Sequence, residues 1–179
     1  MKSTSFSPSS WFIICLCLIF YVAVPAHCVS LYETVCSEAR QDANACLNLL
    51  KTDPKITSAT NYHDLSKSIL SFAFNKGLED QAYLLKVAKQ FPNNQAIGQC
   101  ANVFYKTSIA YFGYAMIDVD KVKDPQNAKN DVQTAGNGPS DCEKAIQNDK
   151  GIHDPTIHAK NNEMFLLSEM SFLALNHLT

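Results

Sequence analysis

The 179-residue sequence lacks most of the patterns that announce chemistry. It has no G-x-S-x-G elbow, no phosphate-binding glycine loop, no dinucleotide fingerprint and no H-E-x-x-H pair. The reactions that need those spacings are therefore not signalled. No C-x-x-C pair occurs, and no histidine stands near a cysteine pair at finger spacing, so a zinc site is not expected. Basic runs are missing too. The 15 Lys and Arg are interspersed with 17 Asp and Glu, which removes the electrostatic footprint of a nucleic-acid binder. There is no N-x-Ser/Thr sequon, no internal repeat and little period-two alternation of the kind strands show.

What is present begins with residues 1–28. Lys2 precedes an apolar run from Trp11 to Val24, followed by small residues. That run is short for a bilayer span and reads as a secretory signal peptide. Cleavage fits after Ala26 or after Cys28. Of seven cysteines, Cys15 and Cys17 leave with the leader. The second site leaves an even set, Cys36, Cys46, Cys100 and Cys142, which suits an oxidising compartment. The chain from Val29 keeps 14 basic and 17 acidic residues, a net charge of −3, and has no second hydrophobic span. A secreted protein with no membrane contact after leader removal is the expectation.

The remainder is helical in pattern, and its helix starts are written in capping residues. Ser30 with Glu33 forms a capping box for a helix to about Arg40. A second short helix spans Ala43 to Lys51 and stops at Thr52-Asp53-Pro54. A long helix is expected from about Ser58 to Gln90, with Leu65, Ile69, Phe72, Ala73, Ala82, Leu85 and Ala88 inward and Gly77 weakening its middle. Asn93 or Asn94 caps the next, from Gln95 to Val122. Its stripe is Ile97, Ala101, Phe104, Tyr111, Phe112, Ala115, Val119 and Val122, at helical spacing throughout. Asp124-Pro125 starts another helix, and Gly136-Asn137-Gly138-Pro139 is expected to interrupt it. Asp154-Pro155 starts the last, with Met164, Leu167, Ser168, Ser171, Leu175 and Leu178 on one side to about His177. The predicted fold is all-α: a helical hairpin over residues 29–57, then an antiparallel four-helix bundle over 58–179.

Four cysteines allow three pairings. Cys36 with Cys46 staples a hairpin too small to stand alone. Cys100 near the start of one bundle helix and Cys142 near the end of the next would meet in an antiparallel pair. Loop-closure entropy gives about 2.8 kcal/mol for the short closure and about 4 kcal/mol for the long one.

Candidates for chemistry are few. His63, His153, His158 and His177 fall in separate segments and read as surface or satisfied histidines. Asp118, Asp120 and Asp124 lack the glycine and closing glutamate of a calcium loop and read as a solvated helix end. Phe104, Tyr105, Tyr111, Phe112 and Tyr114 read as core, with a cage for a small apolar ligand as the other option. No catalytic residue, metal or cofactor is indicated, and the residues by themselves point to a binding protein.

Cys36 and Cys46 close together, Cys100 followed by Tyr105, Cys142 in "DCEKAI" and the final helix "NNEMFLLSEMSFLALNHL" together resemble the plant invertase and pectin methylesterase inhibitor family over residues 29–179. The resemblance implies a four-helix bundle behind a helical hairpin, with disulfides Cys36–Cys46 and Cys100–Cys142. It implies a non-enzymatic, apoplastic inhibitor that covers the active site of a pectin methylesterase or an invertase; a monomer is the separate expectation for its oligomeric state. A ligand carrier or a non-inhibitory extracellular binding protein of the same fold are the alternatives. Invertase inhibitors of the family carry a Pro-Lys-Phe segment between the second and third bundle helices, whereas pectin methylesterase inhibitors use a bundle face. Here the corresponding partner-binding candidates are Asp124, Pro125, Gln126, Asn127 and Ala128. Proline is kept, but Gln126 cannot supply a charge and Asn127 cannot supply apolar area. Gln133 to Pro139 replaces a small-residue helical run common in the family, a change some invertase inhibitors share.

Overall fold

The computed structural model describes residues 29–149 and 151–178. The expected leader and both cleavage positions lie outside the described residues. Helix α1 (Leu31–Glu38) leads through a 3-10 turn (Arg40–Asp42) into α2 (Ala43–Leu50). A one-turn helix, α3 (Pro54–Thr57), precedes the long α4 (Tyr62–Gln90). The next body joins α5 (Gln95–Gln99), a wide π turn (Cys100–Phe104), α6 (Tyr105–Ile117) and a second π turn (Asp118–Val122). Helices α7 (Pro125–Asn148) and α8 (Pro155–Asn176) complete the chain.

The helix starts follow from local chemistry. Glu33 accepts from both the Ser30 amide and hydroxyl at 2.8 Å. Asn61, Asn94, Asp124 and Asp154 each cap the next helix by accepting a backbone N–H through the side chain. Each cap supplies one of the donors at a helix start with a partner. Asp53-Pro54, read as a terminator, also starts the extra turn α3, because Asp53 accepts from the Lys55 amide at 2.7 Å. That turn is why the long helix begins at Tyr62 and not at Ser58.

Each long helix packs on its neighbours in the chain, and α8 closes the ring on α4. This is the four-helix bundle, all-helical among the described residues. The hairpin folds back so that α1 lies on α8 and α4. His177, just past α8, stacks on Tyr62 at 4.0 Å and meets Glu38 at 2.9 Å, tying three helix ends together. Cys36–Cys46 and Cys100–Cys142 are both bonded, and all four residues are buried.

Two expectations fail for the same reason: a partner helix changes what a residue can do. The inward stripe of α4 does not run through Ala82 and Leu85, which are exposed. It runs through Gly77, Asp80, Leu84 and Val87. A methyl at Gly77 would sit 2.9 Å from Ile109 and 3.2 Å from Met164, so the glycine lets α6 and α8 close on α4. Asp80 is fully buried, with Lys160 of α8 at 2.5 Å. Burial pushes its carboxyl up, and the hydrogen bond and charge of Lys160 oppose that.

The second failure is the break at Gly136-Asn137-Gly138-Pro139, which does not occur. Helix α7 runs through it, with Pro139 inside. Proline has no N–H, so the carbonyl of Ala135, four residues earlier, loses its usual partner. The Ser108 hydroxyl of α6 supplies one, donating to that carbonyl at 2.7 Å. Gly138 permits the approach, because a methyl there would overlap Ser108 Oγ and the Phe104 carbonyl. On the other side Ser168 of α8 donates to the Val132 carbonyl at 2.6 Å, beside Gly136. The four residues are a packing device between three helices.

Candidate partner-binding surface

The five candidates Asp124 to Ala128 are the first turn of α7 and its cap. Asp124 Oδ1 accepts from the Asn127 amide at 3.0 Å, and Pro125 occupies the first helical position. Gln126 is exposed and makes no side-chain hydrogen bond among the described residues. Ala128 is fully buried, so its side chain serves the core and is closed to a partner. Asn127 is exposed in part, but its side-chain amide points back and donates to Asp118 Oδ2 at 2.6 Å.

Asp118 anchors this corner. Its backbone carbonyl accepts the amides of Lys123 and Asp124, the latter at 3.0 Å. Between the helices Lys123 adopts a left-handed conformation, φ 56° and ψ 44°. Asp118 is 8% exposed, which corrects its reading as a solvated helix end. Asp131 stands one turn beyond Asn127 on α7. Burial, then the hydrogen bond and charge of Asp118, push the Asp131 carboxyl up to about 6. Asp120 does face solvent, where the Lys67 ammonium at 2.6 Å holds its carboxyl below the usual range. Sequence reading missed Asp131. The signal was its i, i+4 spacing from Asn127, which puts both on one helix face.

Beside this corner runs an apolar stripe on α6, half-buried at Tyr111 and exposed at Tyr114 and Ile117. Tyr111, Tyr114 and Ile117 recur at three-residue spacing, so they share a face. Tyr114 is 54% and Ile117 46% exposed. Tyr111 and Tyr114 meet edge to face at 5.6 Å. A shallow groove of about 290 Å³ adjoins Ile117, lined by Phe74 and Met116 with Lys67 and Lys121 at its margin. Tyr105 and Phe112 are fully buried, as expected of core, and Phe104 and Tyr111 are partly so, whereas the exposure of Tyr114 corrects its reading as core.

Elsewhere the titratable groups serve packing. The Tyr105 hydroxyl donates to Asn161 at 2.9 Å, Asn161 donates to Glu143 at 2.9 Å, and Glu143 contacts His158 at 2.5 Å. Burial raises the Glu143 carboxyl, but hydrogen bonds from Asn161, His158 and Gln147 outweigh it and hold it below the usual range. Among the described residues no three His, Cys, Asp or Glu side chains gather as metal ligands, and no helix is long and apolar enough to cross a membrane.

The fold is a disulfide-stapled helical bundle that offers a capped turn and an apolar helix face. The chain belongs to the plant invertase/pectin methylesterase inhibitor family, whose model matches residues 30–175. The family's members are inhibitors of those two enzyme classes, and the chain carries that fold. A crystallised mutant form of a pectin methylesterase inhibitor from Arabidopsis is similar in fold, with a TM-score of 0.73 at 17% identity. The match covers 84% of this chain and 98% of that one. A second pectin methylesterase inhibitor structure, from Arabidopsis thaliana, gives a TM-score of 0.61 at 16% identity over 83% and 95% of the two chains. No curated protein sequence matches.

Proposed function

We propose that the protein is a secreted inhibitor that occludes the substrate cleft of a pectin methylesterase, as a single copy in the plant cell wall. The observation that carries this reading is the state of Asn127. Its amide is folded back onto Asp118, and the uncharged Gln126 beside it is the one candidate side chain that stands free. An invertase cleft carries carboxylates, for which a charged donor and an apolar anchor are the fitting grip. This turn offers neither. The neighbouring Tyr111, Tyr114 and Ile117 offer aromatic and aliphatic area on a rigid helix, which suits binding through a bundle face. The disulfides and the buried core preorganise that face and lower the ordering cost of association.

The test is a titration of the mature protein against a pectin methylesterase and a cell-wall invertase at mildly acidic pH. Inhibition of the first at micromolar protein or below is expected, with weak or no effect on the second. Inhibition of invertase alone would reverse the assignment. Loss of neither activity would remove the inhibitor reading and leave an extracellular binding protein of the same fold.

A further inference from the structure

Helix α8 is apolar on two faces, and the bundle buries only one. Met164, Leu167, Ser171 and Leu175 lie in the core. On another side Phe165, Leu166, Phe172 and Leu173 follow one another at helical spacing, with Glu169 between them. Phe165 is 45% exposed, and the other three apolar residues are half-buried. A helix that is apolar all round is expected to be covered on both sides.

The hairpin covers this second face in part. Its 3-10 turn stands beside α8 and leaves two cavities, of about 670 and 680 Å³. Gln41, Asp42, Phe165 and Glu169 line both, so the two form one continuous groove. One end reaches Gly136 and Asn137 of α7, and the other reaches Asn48 and Leu49 of α2.

The charge in the groove is one-sided. Glu38 at one end is engaged by His177, and Glu163 at the other by Lys76 at 2.9 Å. Asp42 and Glu169, between them, have no side-chain hydrogen bond or ion pair among the described residues. Arg40, exposed at the margin, pairs with neither. Burial, then the charge of Asp42, push the Glu169 carboxyl up, and no cation offsets them. Two carboxyl groups without a cation, beside an exposed phenyl ring, complement a cationic head on an apolar stem. The described residues contain no strand, so no sheet edge is offered to an extended peptide. A groove along a helix instead suits an amphipathic helix laid into it.

We propose that this groove docks a basic amphipathic helix of a partner protein. Its Lys or Arg heads meet Asp42 and Glu169, and its apolar side chains lie on Phe165, Phe172 and Leu173. The groove belongs to the hairpin, α7 and α8, across the helix ring from the groove beside Ile117 that α4 and α6 form. A partner seated here leaves that other side open, so this docking does not depend on which enzyme the protein inhibits.

Fluorescence anisotropy of the mature protein with a labelled leucine–lysine amphipathic peptide tests it. Saturable one-to-one binding is expected, roughly tenfold or more tighter than for a leucine–glutamate counterpart. Asp42→Asn with Glu169→Gln should weaken the lysine peptide roughly tenfold, and Phe165→Ala by a similar factor. Glu79→Gln with Asp141→Asn removes two charges away from the groove and should change affinity by less than about twofold. In the wild type, peptide-induced amide NMR shifts should centre on Glu169 and Leu173 and spare Tyr114. Equal weakening by the two double variants would mean that net charge alone attracts the peptide, and it overturns the proposal. Shifts centred elsewhere overturn it whatever the variants do, as does equal binding of the glutamate peptide. A protein that dimerises in sedimentation and becomes monomeric in Phe165→Ala would assign the groove to a second copy and also overturn it. The readout is peptide binding, so a protein that inhibits neither enzyme removes the proposed function and leaves this docking site in place.

Discussion

Gly138 shows how far a residue's meaning depends on what faces it. In isolation Gly-Pro punctuates a chain, but here the pair sits mid-helix because Ser108 receives the carbonyl that Pro139 orphans. Gly138→Ala should cost about 1–3 kcal/mol, toward the upper end, because the methyl meets backbone oxygen as well as the hydroxyl. Gly136→Ala should cost less, since the methyl first meets the Ser168 side chain and not backbone, although moving that hydroxyl gives up its bond to the Val132 carbonyl. Ser108→Ala should cost about 1–3 kcal/mol by leaving the Ala135 carbonyl buried without a donor. Urea midpoints of the three variants at one pH check the ranking. Equal stabilities for Gly138→Ala and Gly136→Ala would mean that α6 and α8 yield equally.

At the scale of elements, the pair Asp80–Lys160 fastens α4 to α8 from inside the protein. One Asp80 oxygen meets Lys160 and the other has no partner among the described residues. Lys160 also lies 5.2 Å over the Tyr83 ring, whose hydroxyl donates to the α8 cap Asp154 at 2.6 Å. Removing the cation leaves a buried carboxylate with no ion-pair partner and only the charge of Lys76 nearby, so Lys160→Met should cost about 3–5 kcal/mol. The double change Asp80→Leu with Lys160→Met should recover most of that, because a buried pair stabilises little beyond a well-packed apolar replacement. A thermal-unfolding cycle of the four proteins measures the coupling. A double variant as unstable as Lys160→Met would show that packing around Leu and Met, and not charge, dominates.

The same pair marks the limit of what was legible in sequence. Helix starts were readable at Ser30, Asn94, Asp124 and Asp154 because a cap is a local interaction with the next few residues. The stripe of α8 was readable for a similar reason: Met164, Leu167, Ser168, Ser171 and Leu175 recur at the period of the helix and are all buried. The second half of α4 was not readable, since nothing near Asp80 in sequence announces Lys160 eighty residues on. The candidate turn was half readable. Its cap and proline are local, whereas the bond from Asn127 to the buried Asp118 forms across a junction.

For the whole molecule the proposed inhibition raises the question of which cleft is filled, and the turn at Asp124 can be made to answer. The double replacement Gln126→Lys with Asn127→Phe restores a charge and an apolar anchor at the start of α7. It also removes the amide that Asp118 accepts, so it should lower stability by about 1 kcal/mol. If the turn governs target choice, the doublet should strengthen inhibition of invertase by about two decades, the size expected when an anchor and a charged contact are gained together. Inhibition of pectin methylesterase through the α6 face should change much less. Replacing Tyr114 and Ile117 with Ala tests the opposite end of the surface. Both are about half exposed, so the fold should hold while pectin methylesterase inhibition falls by roughly tenfold or more. Inhibition constants for the two enzymes against wild type and both doublets form a crossed design. A turn doublet that folds but leaves invertase untouched would assign target choice to the bundle face. An α6 doublet that leaves pectin methylesterase inhibition intact would assign it to some other face of the bundle.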